Sequence, residues 1–335
     1  MAITAPQYPS LVDLASRLDP EGHVMPIAEV LAKRDPILKL LKWKECNKTD
    51  GYVHGVRTGL PEATWRKLYQ GVQPQKSTTA QVTDTCGNLE AYAEVDKDLA
   101  DINGNTASWR MSEQKPFFQA MGNTMAETLF YGDTDKHPER FMGLAPRYNT
   151  LEAKVPSSHN TISAAKEAGV APVTGKLTSV FLVSLDQFYG IYPKASKAGM
   201  KHTDKGQQTH VNADGSMYEV YQDHYKWQAG AALEDWRGVV RVCNIPMSDE
   251  GAVALTADQL IKVLIKAKNR IPADLRTSLH MFCAEEIKTA LELAAYEKST
   301  NVVKIVEAAG QFQTHFFDIP IEVSDSISVT EALVK

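Results

Sequence analysis

Between Gly51 and Thr83 the chain reads GYVHGVRTGLPEATWRKLYQGVQPQKSTTAQVT, and no other stretch limits the possible folds as strongly. Turn-formers at Gly55, Gly59, Pro61, Gly71 and Pro74 interrupt any helix, whereas GYVHGV and KSTTAQVT have the β-branched and aromatic content of strands. The expectation is a long two-stranded excursion. Its apolar residues, Tyr52, Leu60, Trp65, Leu68 and Tyr69, are too scattered to bury one another, and an isolated hairpin is marginal in water. Something outside the excursion has to hold it.

Charge suggests what. Arg57, Arg66, Lys67 and Lys76 stand against Glu62 alone, while the following segment, residues 84–101, sets six acids against Lys97. Opposite signs on adjacent segments favour pairing between copies of one chain as readily as within it. The candidate interface residues are therefore Arg57, Trp65, Arg66, Lys67, Tyr69 and Lys76 on the basic side, with Glu90, Glu94, Asp96 and Asp98 on the acidic side. Trp65 beside Arg66 and Lys67 has the composition enriched at binding hot spots.

The 335 residues suffice for one large core or two smaller ones, and a net charge of −5 does not fit a dedicated nucleic-acid binder with a dense basic face. No apolar run has the length of a membrane span, and the N-terminal sequence lacks a signal-peptide pattern, so the chain is expected to stay where it is made. Cys46, Cys86, Cys243 and Cys283 are far apart in sequence, without a C-x-x-C pair, and read as buried thiols of a reducing cytosol.

Along the chain, residues 1–50 read as short helical pieces, with Asp35 capping and Pro36 opening a turn that carries Ile37, Leu40 and Leu41. Ser112 is the expected cap of a longer helix through Tyr131, stopped by Gly132, with Phe117, Met121, Met125 and Leu129 as its core stripe. Residues 133–176 read as loop. From residue 177 come four strand-like runs, a helix TADQLIKVLIKAKNR, a strand SLHMF, a helix AEEIKTALELAAYEK and a strand pair in FFDIPIEVSDSISV. Strands and helices alternate without a regular β-α-β beat, which makes the fold class α+β.

Catalytic and ligand motifs fail on inspection. GVAPVTGKLTS has five residues between Gly169 and Gly175 where a phosphate loop has four, and Leu177 replaces the metal-binding hydroxyl. Asp223 and His224 are neighbours, but on a strand they point to opposite faces and cannot cooperate. No zinc quartet, H-E-x-x-H or G-x-S-x-G occurs. No cofactor, metal or catalytic residue is expected.

Several long stretches taken together carry a resemblance: GLPEATWRKLYQGVQPQKSTTAQVTD, EAYAEVDKDLADINGN, ETLFYGD, FMGLAPRYN, IYPKASKAGMKH, YQDHYKW and WRGVVRV, in this order. They resemble the major capsid proteins of short-tailed bacteriophages of the epsilon-fifteen type, from about residue 50 to the C-terminus. The resemblance implies the tailed-phage capsid fold: an N-terminal arm over residues 1–50, an extended loop over 51–101, a peripheral domain with a spine helix over 102–176, an axial domain over 177–298, and a return to the peripheral domain over 299–335. It also implies a structural protein that assembles with itself, as hexamers and pentamers, into an icosahedral shell around double-stranded DNA. The implied further partners are a portal, a scaffolding protein and a cementing or decoration protein, with weak non-specific DNA contact and no membrane. The implied place is the virion capsid, assembled in the bacterial host cytoplasm. One relative joins its loop to a neighbour through lysine and asparagine; Lys67 and Lys76 lie in the loop here, but no partner asparagine or catalytic glutamate matches, so noncovalent contacts are expected. An encapsulin-like compartment is the alternative within the fold, and a soluble enzyme the alternative outside it.

Overall fold

A computed structural model of the chain describes residue 9 and residues 33–335, other than 50, 105, 154, 213, 249, 299–301 and 309–310. The first part of the chain has the helix Ile37–Leu40, strands β1 (Trp43–Glu45), β2 (Gly51–Gly59) and β3 (Thr78–Asp96), the helices Lys97–Ala100, Thr106–Tyr131 and Leu144–Arg147, β4 (Thr161–Ser163) and the helix Ala164–Ala168. There follow β5 (Leu177–Ser184), β6 (Phe188–Tyr192), β7 (Met200–Val211), β8 (Met217–Leu233), β9 (Val239–Pro246), the helix Ala257–Arg270, β10 (Leu279–Cys283), the helix Glu285–Lys298, β11 (Val303–Ala308), β12 (Gln311–Phe316) and β13 (Ile319–Val323). Helices and strands mix in the α+β manner expected.

The described residues group into two compact units, one of residues 88–126 with 199–228, the other of residues 34–87, 127–198 and 229–335. Three of the divisions fall within β3, the long helix and β8, and the fourth falls just before β7.

The larger unit is organised by a seven-stranded mixed sheet in the order β11-β12-β13-β10-β5-β9-β4. LTSVFLVS in β5 and VVRVCNIP in β9 are nearly continuous apolar runs, the pattern of strands covered on both faces, and every residue of both is buried. Val180, Leu182, Val240, Val242 and Met281 join Leu260, Val263, Leu264, Ile287 and Leu291 of the two later helices in one core. Phe181 alternates to the other face of β5, where Phe130 lies 5.5 Å away, ring to ring. The helix Ala257–Arg270 starts on a capping box of Thr256 and Gln259, a feature that contributes about 1 kcal/mol.

The same unit holds β1 parallel to β6, β6 antiparallel to the end of β8, and β2 antiparallel to the start of β3. The indole of Trp43 lies on Gly190 so closely that an added Cβ would come within 2.5 Å of the ring. Asp35 does not cap the first helix: its carboxylate accepts from the hydroxyls of Ser324 and Ser326. Arg34 pairs with Glu285 and Asp325, and Ile37 is fully buried. The last part of the expected arm is thus anchored; the rest, apart from residue 9, lies outside the described residues.

In the smaller unit β7 and β8 form an antiparallel hairpin from Met200↔Trp227 to Val211↔Met217. The helix there begins at Thr106, so Ser112 sits inside it and is not its cap, and it ends at Tyr131 as expected. Val95, Leu99, Ala100 and Trp109 form a small core, and Phe117 and Phe118 pack on Tyr225. Met121 and Met125 are buried, in keeping with the core reading of the stripe. Strands β1, β4, β7, β11 and most of β12 are not legible in the sequence, residues 133–176 hold only short regular pieces in keeping with the little regular structure expected there, and of the strand pair expected from Phe316 onward only β13 is present, ending at Val323.

Candidate functional site

The segment between Gly59 and Thr78 carries no helix or strand, and β2 and β3 that flank it pair from Gly51↔Thr85 to Gly59↔Thr78, with an irregularity between Arg57 and Gly59. The two-stranded excursion is therefore present. Its far part is held by few internal bonds: Glu62 N–H donates to Gln75 Oε1 at 2.6 Å, and Gln70 N–H to Lys67 O at 3.2 Å. Trp65 is 103% exposed and Tyr69 105%, with Leu60 and Leu68 also on the surface. Arg57, Arg66, Lys67 and Lys76 are exposed as well. Tyr69 has φ +65°, a left-handed conformation uncommon for a bulky side chain. An apolar and basic surface of this size, uncovered by its own chain, is a mark of an interaction site.

The acidic candidates behave differently. Along the Asn88–Asp96 part of β3, Glu90, Tyr92 and Glu94 share one face, and Ala93 and Val95 are buried on the other. Glu90 meets Lys226 at 2.7 Å and His224 at 3.1 Å, and Glu94 meets Gln222 at 2.6 Å and His210 at 3.1 Å. The ring of Tyr92 stacks on His224 at 4.4 Å. Bonding to Lys226, then to His224, holds the Glu90 carboxyl below the usual carboxylate range. Asp96 caps the helix Lys97–Ala100 by accepting from the N–H groups of Asp98 and Leu99, and Asp98 is exposed. Sequence reasoning saw six acids but not these partners, which lie more than a hundred residues away on β7 and β8 with nothing in the local pattern to announce them.

Asp223 and His224 face opposite ways, as expected of strand neighbours. Asp223 is buried, taking Arg110 at 2.9 Å and His202 at 2.8 Å. In the larger unit Arg241 and Glu331, both buried, pair at 2.8 Å, and Ser179 and Tyr131 donate to the same carboxylate. Burial, then the charge of Glu331, pushes the Tyr131 hydroxyl well above its ordinary pKa. Each of these groups is engaged in contacts that fix the structure. An open cleft of about 700 Å³ is lined by His159, Lys166, Trp236 and Arg270, but the guanidinium of Arg270 is spent on the backbone carbonyls of His159 and Thr161. Among the described residues no group of three His, Cys, Asp or Glu is arranged to hold a metal, and no helix is long and apolar enough to cross a membrane. Gly169, in the rejected phosphate-loop match, is the left-handed cap of the helix Ala164–Ala168, and Leu177 is buried in β5.

Comparison with known proteins gives a consistent answer. A family model described as major capsid protein GP7 matches residues 19–335. A chain from the structure of bacteriophage Epsilon15 is similar over 100% of this chain and 99% of its own, with 28% identity and a TM-score of 0.77. The bacteriophage JBD30 capsid is similar over 97% of this chain and 99% of its own, with 12% identity and a TM-score of 0.52, a likeness of fold. The curated proteins contain no match.

Proposed function

The chain belongs to the family of the major capsid protein GP7 and is a structural protein of a phage capsid shell, and on that premise we propose how it builds the shell. Copies associate as hexamers and pentamers into an icosahedral particle around double-stranded DNA, through noncovalent contacts. The observation that carries this reading is the excursion: its aromatic and basic residues are exposed on the subunit, and a neighbouring copy is the surface they fit. Trp65 and Tyr69 supply apolar area, and Arg66 and Lys67 meet acids of the neighbour, of which the exposed Asp98 is the first candidate because Glu90 and Glu94 already have partners at home. Arg57 and Lys76 extend the basic side. Interfaces of such obligate assemblies bury about 2,000 Å² or more, and many weak contacts add up over a closed shell.

For the domains we propose an arm ending where residues 34–49 are anchored, an extended loop over 51–101, a peripheral domain carrying the spine helix, an axial domain within 177–298, and a return over 299–335. Residues 199–228 cluster with residues 88–126, which favours grouping that hairpin with the loop base and the spine helix. The role is mechanical, without catalysis. A portal, a scaffolding protein and a cementing protein complete the particle, assembly takes place in the host cytoplasm, and a net charge of −5 keeps DNA contact weak. An encapsulin-like compartment is the weaker reading, given the family match and the full-length likeness to the Epsilon15 chain. Negative-stain microscopy of the purified chain tests the proposal: shells or capsomers support it, and monodisperse monomers at all concentrations overturn it.

A further inference from the structure

Two thiols have no part in the assembly reading. Cys46 follows β1, and its N–H donates to Tyr192 O at 2.9 Å; Cys86 lies within β3. Although 40 positions apart in sequence, their sulfur atoms are 3.5 Å apart. We propose that Cys46 and Cys86 form a disulfide site that closes when the chain meets a small-molecule disulfide.

The backbone on both sides is fixed where the sulfurs meet. Beyond Cys46, the Asn47 side chain bonds both the N–H and the carbonyl of Val53, and Lys48 N–H donates to Gly51 O. Gly51 pairs with Thr85, the residue before Cys86. Gly230 presses on the same part of β3, where an added Cβ would come 2.5 Å from Thr85 O and 3.2 Å from Cys86 Cα. The sulfurs have to come about 1.5 Å closer to reach a bond of about 2.05 Å.

Exposure sets the order of events. Cys46 is buried with Tyr189, Ile191 and Ala232, and Cys86 is half-buried against that cluster. The Cys86 thiolate attacks the reagent disulfide, whose S–S bond breaks and releases one thiol. The Cys46 thiolate then attacks the Cys86 sulfur of the mixed disulfide and expels the second thiol. Two protein thiols are oxidised, one reagent disulfide is reduced to two thiols, and the two protons leave with them. Cys243 and Cys283 are bystanders: burial pushes their thiols up to about 11 and about 12. The new bond would tie the turn before β2 to β3 and close a ring around the whole excursion. The bond itself does not depend on the shell reading, but its value as a staple at the root of an intersubunit loop does.

The test uses the full chain, native and without reductant, with oxidised glutathione as the probe. After alkylation and proteolysis under non-reducing conditions, mass spectrometry should find the Cys46–Cys86 linked peptide in excess of the glutathione adduct by about ten-fold or more, because the second thiol acts at high effective concentration. Cys243 and Cys283 should remain alkylated. The Cys46→Ser variant should stop at a stable adduct on Cys86, and Cys86→Ser should give neither product. A lasting adduct on native Cys86, two unmodified thiols, or chains joined to each other through either cysteine would overturn the proposal. The same reaction in denaturant, where pairing should scatter over all four cysteines, shows whether selectivity comes from the fold.

Discussion

Strand β5 and the segment from Leu60 to Ser77 are both eighteen residues or fewer of one subunit, and they relate to water in opposite ways. Every residue of β5 is buried, whereas Trp65 and Tyr69 at the other place have their full surfaces exposed. The first region is completed by its own chain and the second is not. Apolar area that a chain leaves uncovered adds nothing to its own folding, so the two regions should respond to mutation through different measurements: the sheet through the stability of the isolated subunit, the excursion through association.

The largest effect is expected in the buried pair. Arg241→Met leaves Glu331 as an unpaired buried carboxylate beside Ser179 and Tyr131, a change that should cost about 3–5 kcal/mol of subunit stability. Urea denaturation of the isolated subunit should show a much lower midpoint. A midpoint equal to the parent's would mean that the pair is not the lock the geometry makes it. Smaller, but still on the folded side of the comparison, is Gly190→Ala, whose new methyl would meet the Trp43 ring at 2.5 to 2.8 Å. Overpacking of this kind should cost about 1–3 kcal/mol. Near-parent thermal stability would show that Trp43 swings away freely.

What could be read from the residues follows the same division. The apolar runs of β5 and β9, the helix with its Thr256 cap and the broken, basic excursion all announce themselves locally, because each is a matter of neighbours in sequence. Strand β7, MKHTDKGQQTHV, was illegible because it is polar throughout and owes its conformation to pairing with β8. Ser112 misled because a cap-forming residue is equally at home inside a helix, and the true start lies six positions earlier. The acids of residues 84–101 were legible as a charge run, but the assignment of Glu90 and Glu94 to Lys226, His224, Gln222 and His210 depends on tertiary pairing.

Charge reversal in the excursion is the direct probe of its half of the comparison. Arg66→Glu with Lys67→Glu should leave subunit melting within about 0.5 kcal/mol of the parent, as for surface changes away from packed contacts. At each subunit contact the loss should be about 1 kcal/mol for pairs at a wet rim, and more if the pairs are buried. Repeated around a shell, that penalty should lower particle yield in sedimentation. Normal yield would remove these residues from the interface, and a large fall in melting temperature would mean that the excursion packs on its own subunit.

The smallest expected effect is that of acid on the isolated subunit, and it sharpens the comparison most cleanly. Glu90 is held below its ordinary pKa by Lys226 and His224, Asp204 by Arg110 and the N–H of Gly206, and Asp318 by Lys268. Each depressed carboxylate contributes stability above its unfolded pKa of about 4, and that contribution is lost as pH falls through the lower folded value. Because Glu90 is partly exposed and Asp204 and Asp318 are largely so, each should contribute only a few tenths of a kcal/mol. Melting temperature should therefore hold nearly level from pH 7 to 5 and decline below about pH 4, as calorimetry over a pH series would record. The excursion contributes a single acid, the exposed Glu62, so the Arg66→Glu, Lys67→Glu subunit should trace the same pH profile as the parent. A profile that diverges below pH 5 would reveal that the new carboxylates feel charges of their own subunit, and the division between a finished core and an unfinished loop would fail there.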